Sequence, residues 1–246
     1  MNTPVVGGRR AVLEAVRAGA AREVLVARGA RSTAGLRDVL EACREAGLSV
    51  REVDRSELDG LAADHRGVVA ITGSPKAISE RELAAWPFGP DDLVVVLDGI
   101  TDPQNLGAAA RSAEAAGATM LVTRTRRAAD VTPAAIRASA GALLHLTHAR
   151  IANIARGLER LKEAGFTVVG LDEHADRTVF EADPPEGRVV VVLGSEGEGL
   201  GRLTRASCDL LVRLPMRGRV GSLNASASLA AALYAFVLPR RLGGGS

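Results

Sequence analysis

The chain has 246 residues, 47% of them hydrophobic and 24% charged, with a formal net charge of +2, so it can bury a sizeable core and favours two α/β units. No apolar run approaches the roughly 20 residues of a membrane span, and the N-terminus lacks the apolar stretch of a signal peptide, so we expect a cytoplasmic protein with no membrane partner. Cys43 and Cys208 form no metal-spaced cluster, which argues against a disulfide scaffold or a zinc site.

The first 73 residues alternate between helical and extended patterns, which predicts a small three-layer α/β domain over residues 1–73. Helices are expected over 8–19 and 55–62, with a further helix that begins at a Ser32 or Thr33 cap and ends at Gly47. Strands are expected over 23–27, 48–53 and 67–72.

Three prolines, Pro75, Pro87 and Pro90, interrupt the pattern and predict a linker over residues 74–91. A parallel α/β pattern then defines a second domain over 92–241, and the LGGGS end predicts a flexible tail over 242–246. In this domain we expect strands over 92–98, 119–123, 166–172 and 188–194, and helices over 105–116, 132–140, 151–164 and 224–238.

The second domain contains three segments that place glycine, polar and charged residues after apolar strands, where open α/β sheets bind ligands. The first is DGITDPQNLGAAAR, residues 98–111. Asp102 or Asn105 can cap the helix that follows, and Arg111 is the only charge in LGAAARSA, near a face predicted to be buried. An arginine in that setting requires a carboxylate or a phosphate as its partner.

The second segment is VVVVLGSEGEGLG, residues 189–201, an apolar strand that leads into a glycine-rich loop. The dinucleotide pattern GxGxxG fails because Arg202 occupies the position of its last glycine. Glu196 and Glu198 would repel a pyrophosphate, so an adenosine that carries a sulfonium and an amino-acid tail is favoured as the ligand. A plain glycine-rich turn with solvated glutamates is the alternative interpretation.

The third segment is LPMRGRVGSLNASAS, residues 214–228. Ser222 or Asn224 can cap the helix that follows, which is a purely structural role. Arg217 and Arg219 flank Gly218 in the basic loop and could contact phosphates.

Together, NLGAAARSAEAAGA, LGSEGEGL and LPMRGRVGSLNASAS resemble, in this order, the three motifs of the SpoU branch of the SPOUT methyltransferases. GGRRAVLEAV and HRGVVAIT resemble the ribosomal-protein-like RNA-binding domain that precedes the catalytic domain in the ribosomal-RNA guanosine methyltransferases of the family. The resemblance implies a trefoil knot from about residue 194 onward. It also implies S-adenosylmethionine as cofactor and a homodimer of knotted domains that completes the site.

By motif position, the resemblance implies catalytic roles for Asn105, Arg111, Glu196, Ser222 and Asn224. It implies cofactor contacts at Leu193, Gly194, Ser195, Gly199, Leu214, Met216 and Leu223. RNA contacts are expected at Arg9, Arg10, His65, Arg66, Arg124 and Arg217. Because an arginine stays charged at neutral pH, we favour stabilisation of the developing alkoxide by Arg111 over a role as the base.

The resemblance implies 2′-O-methylation of a ribose in RNA. The two-domain layout favours a guanosine of 23S ribosomal RNA as the substrate. Arginine supplies all but two of the 31 basic residues, which suits RNA, although an arginine-favouring codon usage explains it equally well. The alternatives are a transfer-RNA methyltransferase, a non-catalytic RNA-binding relative, and a dinucleotide-dependent oxidoreductase, which the failed glycine pattern disfavours. The other histidines, His145, His148 and His174, are expected to be structural or surface residues.

Overall fold

The first sheet belongs to a three-layer unit at the N-terminal end of the chain. The structure is a computed structural model that describes residues 5–73, 77–219 and 221–239. The sheet has the order β1-β4-β2-β3, with β4 antiparallel to β1 and β2. Its elements are β1 (Val5–Gly7), α1 (Arg9–Arg17), β2 (Ala21–Ala27), α2 (Ala34–Glu45), β3 (Val50–Val53), α3 (Arg55–Leu61) and β4 (Val68–Thr72).

Alternation along the strands of this sheet explains its layers. Val24 and Val26 pack with α1 and α2 on one face, whereas Leu25 packs with Leu58 of α3 on the other. The predicted helices and strands are therefore confirmed, and Thr33 is the residue that caps α2. Strand β1 is an addition that the sequence did not predict.

The second sheet has seven strands, all parallel, in the order β7-β6-β5-β10-β8-β11-β9. Helices cover both faces, because alternate residues of the central strands enter separate cores: Val95 and Leu97 on one side, Val94 and Val96 on the other. Its strands are β5 (Leu93–Asp98), β6 (Met120–Arg124), β7 (Thr147–Ile151), β8 (Thr167–Leu171), β9 (Arg177–Thr178), β10 (Val189–Gly194) and β11 (Leu210–Arg213).

The helices of this part of the chain are α4 (Glu80–Ala84), α5 (Pro103–Ala115), α6 (Pro133–Ala138), α7 (Ala142–His145), α8 (Ile154–Glu163), α9 (Arg202–Ala206) and α10 (Ala225–Ala232). A π-helical turn over Leu233–Val237 continues α10. The predicted α/β class with a parallel sheet is confirmed. The trefoil knot is not decided by strand order and stays a prediction.

The segment that was predicted as a linker contains α4, which packs on the second sheet. Ser79 and Glu82 form a reciprocal capping box at its start, and Leu83 is buried against the sheet. Glu80 binds the guanidinium of Arg156 in α8 through two hydrogen bonds of 2.6 and 2.9 Å. Residues 77–91 are thus attached to the second sheet, while 74–76 and the predicted tail over 242–246 lie outside the described residues.

The two sheets are joined by a packed interface. Val6 and Ala11 of the first unit belong to the same buried cluster as the core around α5. Oε2 of Glu14 in α1 lies 3.0 Å from Nε2 of His145. A Cβ on Gly141 would approach the Glu14 Cβ to 2.4 Å. The close approach at Gly141 fixes how α1 contacts the turn between α6 and α7. None of the helices in the described ranges has the length and apolar content needed to cross a membrane.

His148 of β7 makes the stability of this fold depend on pH. Its ring is buried and shares a 2.8 Å hydrogen bond between Nε2 and the Thr123 hydroxyl. Burial, reinforced by the charge of Arg150 and opposed by Asp130, lowers the pKa of His148 to about 4. Between about pH 6.5 and 4 the unfolded chain therefore binds a proton that the folded chain does not, so stability falls as the pH is lowered through this window.

We expect His148→Gln to lose less stability than the wild type when the pH falls from 7 to 4. The full pKa difference corresponds to about 3 kcal/mol of unfolding free energy. Urea titrations at both pH values measure the unfolding free energy of the two proteins. When the variant's loss of stability is subtracted from that of the wild type, the contribution of the carboxylates that both proteins share cancels. Equal losses for the two proteins would contradict this assignment.

Candidate functional site

A cavity of about 730 Å³ opens at the carboxyl ends of β8, β10 and β11. Because all three strands are parallel, their ends meet at one edge of the sheet, where ligands of such sheets bind. The volume lies in the range of cofactor pockets. All seven residues predicted to contact the cofactor line this cavity: Leu193, Gly194, Ser195, Gly199, Leu214, Met216 and Leu223.

The glycine-rich loop after β10 closes on itself over one wall of the cavity. Ser195 and Gly199 exchange two backbone hydrogen bonds of 3.0 and 3.1 Å, and Gly197 and Gly199 have positive φ angles of 84° and 65°. A Cβ on Gly194 would lie 2.1 Å from the carbonyl carbon of Gly199. Only glycine permits this approach, so the sequence of the loop determines the shape of the wall.

Three side chains that are far apart in sequence form a hydrogen-bonded triangle at the cavity rim. The Asn105 amide donates to Glu196 Oε1 at 2.8 Å, and the Asn224 amide donates to Asn105 Oδ1 at 2.9 Å and to Glu196 Oε1 at 3.0 Å. This Asn105–Glu196–Asn224 triangle ties the start of α5, the glycine-rich loop and the start of α10 together. Each of the three segments singled out in the sequence contributes one residue to it.

Helix capping explains why the side chains of Asn105 and Asn224 can form the triangle. Asp102 caps α5 by accepting from the Gln104 N–H at 3.0 Å, with Pro103 at the first helical position, so the Asn105 side chain is not used as the cap. Asn224 caps α10 through its Oδ1, which accepts from the Ser226 N–H at 3.0 Å. Its amide nitrogen remains to donate into the triangle. Ser222 lines the cavity and is exposed.

Arg111 differs from its sequence prediction. It was expected near a buried helix face, but its side chain is exposed, and it has no hydrogen bond or ion pair with any described residue. Six residues of α-helix place it about 9 Å along α5 from Asn105 and about 120° around the axis. Arg111 therefore does not join the triangle within one chain.

Sequence reasoning missed an ion pair in the cavity wall, formed by a shielded carboxylate and an exposed guanidinium. Asp172, directly after β8, has a side chain only 8% exposed and binds Arg205 Nε at 2.8 Å. A carboxylate after an apolar parallel strand was a usable signal, since the same rule located the other segments. Its partner could not be found that way, because Arg205 follows 33 residues later in α9.

The charges of the lining suit a cationic ligand. Among the described residues, four carboxylates and two guanidinium groups line the cavity: Asp172, Glu173, Glu196 and Glu198, with Arg205 and Arg213. A sulfonium and an ammonium group would be attracted by this balance, whereas a pyrophosphate would be repelled. Apolar contacts from Leu193, Leu214 and Leu223 suit an adenine ring. The lining thus fits S-adenosylmethionine, which supplies an electrophilic methyl group when bound.

The residues predicted to contact RNA fall into two groups. Arg10, Arg66 and Arg217 are exposed, and Arg9 is half-buried, with no hydrogen bond from its Nε to any described residue. His65 and Arg124 are instead used by the fold. The His65 ring is 2% exposed; its Nδ1 accepts from the Gly67 N–H at 2.9 Å, so Nε2 donates to Asp59.

Arg124 binds the buried carboxylate of Asp98 through its Nε. Asp98 Oδ2 also accepts a 2.6 Å hydrogen bond from Thr204 of α9. Arg124 thus neutralises a charge at the end of β5, a role that the sequence did not predict.

Two family models match the chain. Residues 92–234 match the SpoU rRNA Methylase family, and residues 5–77 match the RNA 2′-O ribose methyltransferase substrate-binding family. Proteins described as uncharacterized tRNA/rRNA methyltransferases are similar over nearly the whole chain. The one from Mycolicibacterium vanbaalenii is 40% identical over 98% of this chain and 78% of its own length, and the one from Mycobacterium leprae is 39% identical over 98% and 79%.

A solved structure has the same fold over both units. The SpoU methyltransferase AviRb from Streptomyces viridochromogenes matches 99% of this chain and 91% of its own, with a TM-score of 0.79 and 30% identity. The same protein in complex with AdoMet matches with a TM-score of 0.76 and 31% identity, over 97% and 91% of the two chains. The chain therefore belongs to the SpoU rRNA Methylase family, whose members are S-adenosylmethionine-dependent RNA 2′-O-methyltransferases.

Proposed function

We propose that this protein methylates the 2′-hydroxyl of one guanosine ribose in 23S ribosomal RNA. The observation that carries the proposal is the Asn105–Glu196–Asn224 triangle at the rim of a cavity that suits S-adenosylmethionine. A substrate-binding domain ahead of the catalytic domain supports a large, structured RNA as substrate. Direct transfer of a methyl group from the sulfonium to a ribose hydroxyl depends on the alignment of these two groups more than on acid catalysis.

The triangle aligns the reacting ribose in this proposal. Both amides donate to Oε1 of Glu196, and Oε2 has no hydrogen bond with any described residue, so it can accept from a ribose hydroxyl. Ser222, at the same rim, is available to a second sugar or phosphate oxygen. The cofactor occupies the cavity beneath them, against Gly194 and the apolar residues of the wall.

Arg111 acts on the reacting ribose from a second protomer. Its exposed guanidinium diverges from the triangle of its own chain by about 120° around α5. A two-fold homodimer that pairs the exposed faces of α5 would bring each Arg111 to the partner's triangle. There the guanidinium would grip the adjacent phosphate and stabilise the alkoxide that develops as the hydroxyl proton passes to the carboxylate of that triangle.

Transfer RNA is the second candidate substrate, because the relatives from Mycolicibacterium vanbaalenii and Mycobacterium leprae are described as tRNA/rRNA methyltransferases. The test is methyl transfer from labelled S-adenosylmethionine to unmodified 23S ribosomal RNA and to unmodified transfer RNA, followed by mapping of the alkali-resistant linkage. One resistant guanosine in 23S RNA supports the proposal. Incorporation only into transfer RNA, or into neither RNA despite cofactor binding, overturns it in favour of the second substrate or of a non-catalytic RNA-binding protein.

A further inference from the structure

The turn between β6 and α6 contains the arginine-rich sequence RTRR, residues 124–127, and several interactions brace it. Asp98 holds Arg124 at the start of the turn. Arg150 of β7 donates to the Thr125 carbonyl at 3.2 Å and pairs with Asp130 at 2.9 Å, so it bridges the two ends. The Ala129 N–H donates to the Ile100 carbonyl at 2.8 Å, which joins the turn to the loop before α5.

The bracing leaves two charges of this turn uncompensated. Arg124 is offset by Asp98 and Arg150 by Asp130. Arg126 and Arg127 are exposed, and neither has a hydrogen bond or an ion pair with any described residue. Arg127 also has a φ of 54°, a left-handed backbone conformation that few residues other than glycine adopt.

The turn lies at the same edge of the sheet as the cavity. Strand β5 lies between β6 and β10, with Asp98 in register with Gly194 of the cavity wall. Neighbouring strands are about 4.8 Å apart, so the end of β6 is about 10 Å from the end of β10. All of these strands end at the same edge of the sheet. A polyanion whose reacting sugar lies at the cavity rim therefore passes within reach of the turn.

From these contacts we propose that Arg126 and Arg127 bind backbone phosphates of the RNA strand beside the methylated nucleotide, while Arg124 and Arg150 hold the turn in place. The inference rests on the proposed function only in requiring that RNA be the substrate. Guanidinium groups suit phosphates because their donors match two oxygens at once. The contact is independent of sequence, so it contributes affinity and position, and base identity is determined elsewhere.

The test is binding of a short, fluorescein-labelled single-stranded RNA, followed by anisotropy over a series of salt concentrations. The double variant R126Q/R127Q removes both charges. Arg81→Gln is a single-charge control, since it removes from α4 one exposed charge that has no hydrogen bond or ion pair with the described residues. We expect the slope of log K against log salt to fall by about 1.4 in the double variant, since each phosphate contact to a single strand contributes about 0.7. Arg81→Gln should match the wild type.

Two results would overturn the proposal: a wild-type slope in R126Q/R127Q, or the same per-charge loss in Arg81→Gln. Cofactor binding measured by calorimetry should be equal in all three proteins, which excludes misfolding as the cause of a weaker RNA interaction. The measurement needs no methyl transfer. A reduced slope combined with no transfer to any RNA would therefore support the phosphate contact and count against the proposed function alone.

Discussion

Replacing Arg111 by alanine is expected to lower kcat for methyl transfer roughly 10²–10³-fold, the usual loss when one preorganised donor to a developing oxyanion is removed. Cofactor affinity should stay unchanged, because Arg111 is exposed on α5 and does not line the cavity. Steady-state methylation at saturating RNA and cofactor measures the first quantity and calorimetry the second. Arg81→Ala on α4, which removes an exposed charge from a helix that does not line the cavity, is the control and should retain full activity.

Mixing two inactive variants tests whether Arg111 serves the partner's site. In a mixed dimer of Arg111→Ala and Glu196→Gln, one composite site carries both defects and the other carries neither. We therefore expect recovery of about a quarter of wild-type activity in an equal mixture, since about half of the dimers are mixed and each has one intact site. No recovery after subunit exchange would mean that Arg111 and Glu196 act within one chain.

The sequence predicted the parts of this molecule that depend on local periodicity. The apolar run of β5 and the amphipathic spacing of α8 are properties of neighbouring residues, and both elements are where they were expected. Strand β7 was missed because it lies at the sheet edge and contains polar residues, so its THARI sequence lacks the apolar run of a buried strand. Helix α4 has a readable signal, the Ser79 to Glu82 capping spacing, inside a segment that its prolines marked as a linker.

The site was predicted as a set of residues but not as a geometry. Asp102 and Asn105 are both good caps, and only the structure decides that Asp102 caps α5 and Asn105 reaches Glu196, 91 residues away. The exposure of Arg111 depends on the helical phase of α5 against α6 and α10, which is set by tertiary packing. The link between Asp98 and Arg124 likewise needs the order of β5 and β6 in the sheet. Long-range pairings of this kind leave no trace in the local pattern.

Replacing Gly194 by alanine is expected to cost both cofactor binding and stability, because the new Cβ has no room. It would lie 2.1 and 2.2 Å from the carbonyl carbon and oxygen of Gly199 and 2.5 Å from the Leu200 nitrogen, all of which are backbone atoms. Overpacking of this kind costs about 1–3 kcal/mol or more, which corresponds to a fall in Tm of several degrees at this chain length, about 2–4 °C for each kcal/mol. The two hydrogen bonds between Ser195 and Gly199 would be strained at the same time.

A nearby glycine provides the matched control. Gly201, at the start of α9, has a φ of −58°, and a Cβ there would make only ordinary contacts, 3.7 Å with the Asp98 carboxylate and 3.9 Å with the Thr204 hydroxyl. Gly201→Ala should therefore keep its Tm and its affinity for S-adenosylmethionine, while Gly194→Ala loses at least tenfold in affinity because the wall formed by Ser195 and Gly199 is displaced into the cavity. Calorimetric titration and thermal unfolding of the pair measure both effects. Wild-type affinity and Tm in Gly194→Ala would show that the loop can relax without reshaping the cavity, and the cofactor would then not depend on this wall.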